Sequence, residues 1–136
     1  MSTNENKALI CSIFDELAQG NGRALTEAMS EDCMWTFPGQ WSWSRSWGPK
    51  SVVVEGLLRP LMAQFKGDFR MVADLILADD DRVVVQAHGR GTTLDGATYP
   101  QTYCFIFRII DGRIAEVVEH CDTALVERVL KPLTPA

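Results

Sequence analysis

The second half of the chain, from Phe69 to Cys121, constrains the fold most. Its four runs, "FRMVADLILA", "DRVVVQAHGRGTT", "TYPQTYCFIFRII" and "GRIAEVVEHC", are rich in β-branched and aromatic residues. In the first, Phe69, Met71, Ala73, Leu75 and Leu77 alternate with the polar Arg70 and Asp74, the period of a half-buried strand. The runs are divided at Asp79–Asp81, Asp95-Gly96 and Asp111-Gly112. Asp-Gly is a strong hairpin signal, because both residues accept the positive φ of a tight turn. Strands joined this closely run antiparallel, so the region reads as a meander.

The first half reads as helical. Ser2 and Glu5 have capping-box spacing, and Leu9, Ile10, Ile13, Phe14 and Leu17 follow at helical intervals until Gly20 and Gly22. A shorter segment carries Leu25 and Met29 on one face. "DCMWTF" is a short strand ended by Pro38-Gly39. Beyond Pro49, Val54, Leu57, Leu58, Leu61, Met62 and Phe65 continue a helix that Pro60 must kink or divide. "TALVERVL" closes the chain as a last helix. Helices first and a long sheet last define a segregated α+β domain, an arrangement in which one curled sheet can wrap over the helices and leave a cavity between the layers. The uncovered sheet face is a natural dimer interface.

Composition narrows the function classes. At 136 residues, with no internal repeat or linker, one domain spanning 1–136 is expected. Thirteen basic against eighteen acidic side chains give a net charge of −5, and no basic stripe offsets it. That sign argues against nucleic acid and anionic membranes as partners. No apolar run approaches the ~20 residues needed to cross a bilayer. The polar start "MSTNENK" is unlike a secretory signal, which makes the cytoplasm the expected compartment. Cys11, Cys33, Cys104 and Cys121 lack the close pairing of a zinc site and read as buried free thiols, so no metal is expected.

The order helix–helix–strand–helix–meander, with "WTFPG" early and "YPQTYCFIFRIIDGRIAEVVEHCDTALVERVL" late, resembles the SnoaL-like group. That group sits within the wider superfamily of nuclear transport factor, ketosteroid isomerase, limonene epoxide hydrolase and scytalone dehydratase. Tyr99, Tyr103, the hairpin Asp111 to Ile114, Glu119 and Asp122 look like the late signature. The resemblance implies a cone-shaped curled antiparallel sheet wrapped over the N-terminal helices, with a pocket between them and a homodimer formed through the sheet. It also implies an apolar, cyclic small-molecule ligand, such as a polyketide, terpenoid or steroid-like compound, and proton chemistry without metal or organic cofactor.

Each relative suggests different residues. The ketosteroid isomerase base position is occupied here by Phe37, which cannot take a proton, while Tyr103 lies near its oxyanion-stabilising position. His120 and Asp122 share one parity on the last strand. Asp122 matches the pocket-facing carboxylate of SnoaL-like enzymes, and His120 replaces the usual Tyr, forming a candidate acid–base pair. Asp122 is equally placed to N-cap "TALVERVL". Gln86, His88 and Arg90 share one face of their strand, and scytalone dehydratase is similar in using a histidine in this region. Without an acidic residue two positions from Arg90, the epoxide hydrolase triad is not reproduced.

Trp35, Phe37, Tyr99, Tyr103, Phe105 and Phe107 supply aromatic surface for either a ligand pocket or plain core. Alternation leaves open whether Trp35 and Phe37 or Met34 and Thr36 face inward. All four tryptophans lie between Trp35 and Trp47, in "WTFPGQWSWSRSW", where Trp41 and Trp43 suit a flap over the pocket, a dimer contact or self-packing. Arg45 is set for a cation–π contact among them. The expected function is a cofactor-independent acid–base enzyme, whether isomerase, cyclase, dehydratase or hydrolase. His120, Asp122 and His88 are its candidate catalytic residues; Tyr103, Trp35, Phe37, Gln86, Tyr99, Phe105, Trp41 and Trp43 are its candidate binding residues. The alternatives are a non-catalytic ligand carrier and an accessory dimerisation module whose own side chains fill the pocket.

Overall fold

The structure is a computed structural model, and it describes residues 2–133. Helix α1 (Thr3–Ala18) begins as its sequence dictates: the Ser2 hydroxyl accepts from the Glu5 amide, and the Glu5 carboxylate accepts from the Ser2 amide. Its apolar face buries Ile10, Ile13 and Phe14. A one-turn helix, α2 (Arg23–Glu27), leads into β1 (Met29–Phe37). The tryptophan segment then turns back as β2 (Arg45–Trp47).

The next helical stretch is divided, as Pro60 requires, but the division precedes the proline. Short α3 (Lys50–Val52) passes into a π-helical segment, Val53–Leu58, before α4 (Arg59–Met62). Pro60 has no N–H to give the Gly56 carbonyl and its ring crowds that oxygen; the wider π turn relieves both.

The long strands are β3 (Phe65–Asp79), β4 (Arg82–Thr93), β5 (Thr98–Ile110) and β6 (Arg113–Cys121), with α5 (Thr123–Val129) behind them. Sheet order is β2-β1-β6-β5-β4-β3. The meander pairs antiparallel throughout, as alternation indicates. The sheet as a whole is mixed rather than purely antiparallel, because β1 runs parallel to β6. Those two strands are far apart in sequence, so no hairpin dictates their relative direction. The Asp111-Gly112 turn has both residues at positive φ, the geometry of a two-residue hairpin. Asp95-Gly96 instead sits in a longer loop held by Thr93, whose hydroxyl donates to Asp95 and accepts from the Ala97 amide.

One face of the sheet lies on the helices. It carries Val83, Val85 and Ala87 of β4, Phe105, Phe107 and Ile109 of β5, and Val117 of β6, all buried. The core continues on β1, where Trp35 and Phe37 point inward and Met34 outward. In β3 the expected alternation breaks at Asp74, where the register with β4 shifts. Phe69, Met71 and Ala73 face in, but beyond the bulge Ile76 and Ala78 take over, leaving Leu75 and Leu77 on the outer face. One inserted residue reverses every later side chain.

Candidate functional site

Where α1 and α2 lift away from the sheet, a cavity of about 450 Å³ remains. Its sheet wall is aromatic. Trp35, Tyr103, Phe105 and Phe107 line it, with Phe69 and Met71 of β3 on one flank and Phe14 and Leu17 of α1 opposite. Tyr103 stacks on Phe105 at 5.0 Å, and Trp35 meets Phe105 edge-on at 6.2 Å. These residues converge because inward positions on adjacent strands share a level: Phe105 pairs with Glu119, and Trp35 with Val117.

Among the described residues, Glu119 is the single acidic side chain on this inner aromatic wall; Asp68, the other acid of the lining, is exposed at the mouth. The Trp35 indole N–H donates to Glu119 Oε1 at 3.2 Å, and the Cys121 thiol neighbours the same carboxyl group. Burial pushes Glu119 up to about 8, and these two neighbours pull back only partly. At neutral pH it is therefore mainly a carboxylic acid, with its own proton to donate. Burial, then the nearby Glu119, push the Tyr103 phenol well above its ordinary range, so it too is a neutral donor. An apolar enclosure with neutral acids at its inner wall is suited to holding a ring and exchanging a proton with an oxygen on it.

Of the residues expected from sequence, Tyr103, Trp35 and Phe105 line this cavity. The expectation for His120 and His88 is corrected, because both are exposed on the outer sheet face. His88 Nδ1 lies 2.9 Å from both oxygens of Asp74, and His120 stands across from Cys104, which in turn pairs with Gln86. Gln86 shares that outer face and is exposed. Asp122 does not reach the cavity either. Its carboxylate accepts from the Leu125 amide as the N-cap of α5, and its backbone N–H and C=O are gripped by the buried Gln101 side chain.

Four more of the expected aromatics are packing residues. Tyr99 is buried against Phe65 and Phe69 and accepts from Gln101. Phe37 meets Trp41 and Trp43 edge-on, and those two indoles stack at 5.9 Å. The stack is fixed by the Trp41 indole N–H, which donates to the Pro38 carbonyl, and by Glu127, which accepts from the Ser42 amide. Within the single chain the tryptophan segment packs on itself, and Trp41 and Trp43 do not line the cavity. Arg45 does form its cation–π contact, 4.0 Å above Trp47.

Glu119 was missed because Val117 and Val118 are identical. Either parity of "AEVVEHC" puts a valine inside, and the wrong one selects His120. The signal that separates them is the partner strand, where Phe105 and Phe107 must be inward and pair with Glu119 and Val117. The four cysteines are free, but only Cys33 is fully buried, and burial raises its thiol to about 11.

A curled sheet closing a cone over helices, with a ligand-sized apolar cavity and a buried acid, defines the nuclear transport factor-like class of pocket domains. A family model for the SnoaL-like domain matches residues 12–117, and the chain belongs to that family. Solved structures agree on the fold. An NTF2-like protein of unknown function from Burkholderia pseudomallei K96243 is 19% identical over 96% of this chain and 99% of its own, with a TM-score of 0.76. Bal32a, from a soil-derived mobile gene cassette, is 20% identical over 95% and 98%, at 0.79. TerC, co-crystallised with polyporic acid, is 19% identical over 92% and 97%, at 0.75. No curated protein is significantly similar in sequence. Among the described residues, no helix is long and apolar enough to cross a membrane.

Proposed function

We propose that this protein is a cofactor-independent enzyme that moves a proton on a cyclic, largely apolar small molecule, with Glu119 as its acid–base group. The observation that carries the reading is a lone carboxylic acid on the inner wall of an aromatic cavity, hydrogen-bonded by Trp35. Glu119 gives its proton to a ligand carbonyl oxygen. The carboxylate so formed, steadied by the Trp35 N–H and the Cys121 thiol, takes a proton from the adjacent carbon. That returns the acid and leaves the ligand as its enol. Tyr103 donates a second hydrogen bond to the same oxygen, and Phe105 holds the ring. The chain pairs as a homodimer through the outer face of its sheet. The crystallisation of TerC with polyporic acid supports a ligand of cyclic type. An open cavity of about 450 Å³ disfavours a domain that fills its own pocket.

The test needs no knowledge of the natural substrate. Exchange of the α-protons of 2-tetralone in heavy water, followed by NMR, reads enolisation directly. Glu119→Gln keeps the shape and removes the proton, so exchange should slow by ~10²-fold or more. Trp35→Phe, which removes the donor to Oε1, should have a smaller effect. Unchanged acceleration in Glu119→Gln would sink the assignment. Tight binding of the ketone with no acceleration in the unaltered protein would favour a ligand carrier instead.

A further inference from the structure

The charges around the cavity are distributed unevenly, and this points to the polarity of the ligand. Its inner wall offers Glu119 and Tyr103, both neutral donors, and no cation among the described residues. The basic side chains of the lining, Arg23 and Arg59, are both exposed and so stand at the mouth. They are not equivalent. Arg59 Nη1 donates to both oxygens of Glu55, at 2.7 and 2.9 Å, so its charge is already matched. Asp68, also at the mouth, lies 3.8 Å from Arg70. The Arg23 backbone N–H donates to Asn21, but its guanidinium makes no ion pair or hydrogen bond among the described residues.

A ligand carboxylate at the inner wall would be desolvated beside Glu119 with nothing to neutralise it, a strongly unfavourable arrangement. At the mouth the same group keeps part of its water and meets the planar fork of Arg23, whose geometry suits a carboxylate. The chain's net charge of −5 repels anions at a distance, so any preference for them must be local to this arginine. We infer that the pocket takes a singly charged anionic amphiphile, its apolar ring inward toward Glu119 and its carboxylate on Arg23 at the mouth. The inference rests on the pocket reading of the proposed function and adds the chemical class of the ligand.

Two fluorescent probes with one ring skeleton test it: 8-anilinonaphthalene-1-sulfonate, the sulfonate standing in for the carboxylate, and the uncharged N-phenyl-1-naphthylamine. Both are titrated into the full chain in dilute buffer and again at high salt. The sulfonate should bind more tightly than the amine. Arg23→Gln should weaken the sulfonate by about threefold to fivefold, as expected of an exposed ion pair, and leave the amine unchanged. Salt should remove the same advantage, while Arg59→Gln should not. Met62→Trp, a tolerant position that is 42% exposed on the cavity rim, should weaken both probes by obstructing entry. If Met62→Trp weakens the amine but Arg23→Gln leaves the sulfonate untouched, or if Arg59→Gln causes the loss, the inference is overturned and the pocket reading stands. If neither probe responds to Met62→Trp, the pocket reading fails and takes the inference with it.

Discussion

Glu119 is held in a form its own chemistry does not prefer. In the unfolded chain its carboxyl loses its proton near 4.5, whereas in the folded chain it keeps it to about 8. Between those values the folded state binds more protons than the unfolded one, so stability falls as pH rises through the window and levels off above it. Urea midpoints measured from about pH 5 to about pH 9 should decline in the unaltered protein. In Glu119→Gln, which has nothing to titrate, that decline should be largely gone. A parallel decline in both would mean that Glu119 is ionised in the folded state. Asp122 makes a different prediction, because its side chain caps α5 and does not reach the cavity. Asp122→Ala should cost about 1 kcal/mol in urea melts and leave 2-tetralone exchange unaffected. A collapse of exchange without loss of stability would return Asp122 to the chemistry.

At the scale of elements, the shape of the cavity depends on positions where a side chain is missing. Gly89 and Gly91 are inward positions of β4, and aromatic rings lie directly on them. A Cβ on Gly89 would stand 2.6 Å from the Phe69 ring and 3.0 Å from the Tyr103 ring; one on Gly91 would stand 2.7 Å from Phe69. These two notches let Phe69 lie flat against the sheet instead of projecting into the cavity. Gly89→Ala should therefore destabilise by roughly 1–3 kcal/mol through overpacking and also weaken the uncharged naphthylamine probe, as Phe69 is pushed inward. Full probe affinity in a destabilised Gly89→Ala would show that Phe69 moves elsewhere. The Asp74 bulge is the complementary device on β3. Turning the last third of that strand over brings Ile76 and Ala78 to the core and sends Leu75 and Leu77 outward.

For the whole molecule, the consequence of that bulge is an apolar outer face. Val72, Leu75 and Leu77 are 41%, 45% and 55% exposed on the outer side of β3, beside the hydrogen-bonded His88 and Asp74. If the proposed homodimer forms through this face, Leu75→Asp combined with Leu77→Asp should shift light scattering from dimer to monomer at micromolar concentration. Both positions are solvent-exposed in the single chain, so its own fold should persist. An unchanged mass would place the partner face elsewhere.

The meander, the Ser2–Glu5 cap, the division at Pro60 and the α5 cap were all set by local chemistry, and each was readable from residues a few positions apart. Family resemblance added the cone and its cavity. The site was readable only in part. Tyr103, Trp35 and Phe105 could be named as candidates because large aromatics on alternating strands must lie on one side. Which side each strand shows was another matter. Glu119 and His120 differ by one step in a run whose two valines look alike, and the choice depends on pairing with Phe105 and Phe107. The outward turn of Leu75 depends on a register shift against β4, and the parallel pairing of β1 with β6 joins segments with no short connection. A strand's periodicity fixes which residues lie together on a face. Only its hydrogen-bonded neighbours fix which face is turned toward the core, and that choice made a buried acid of Glu119.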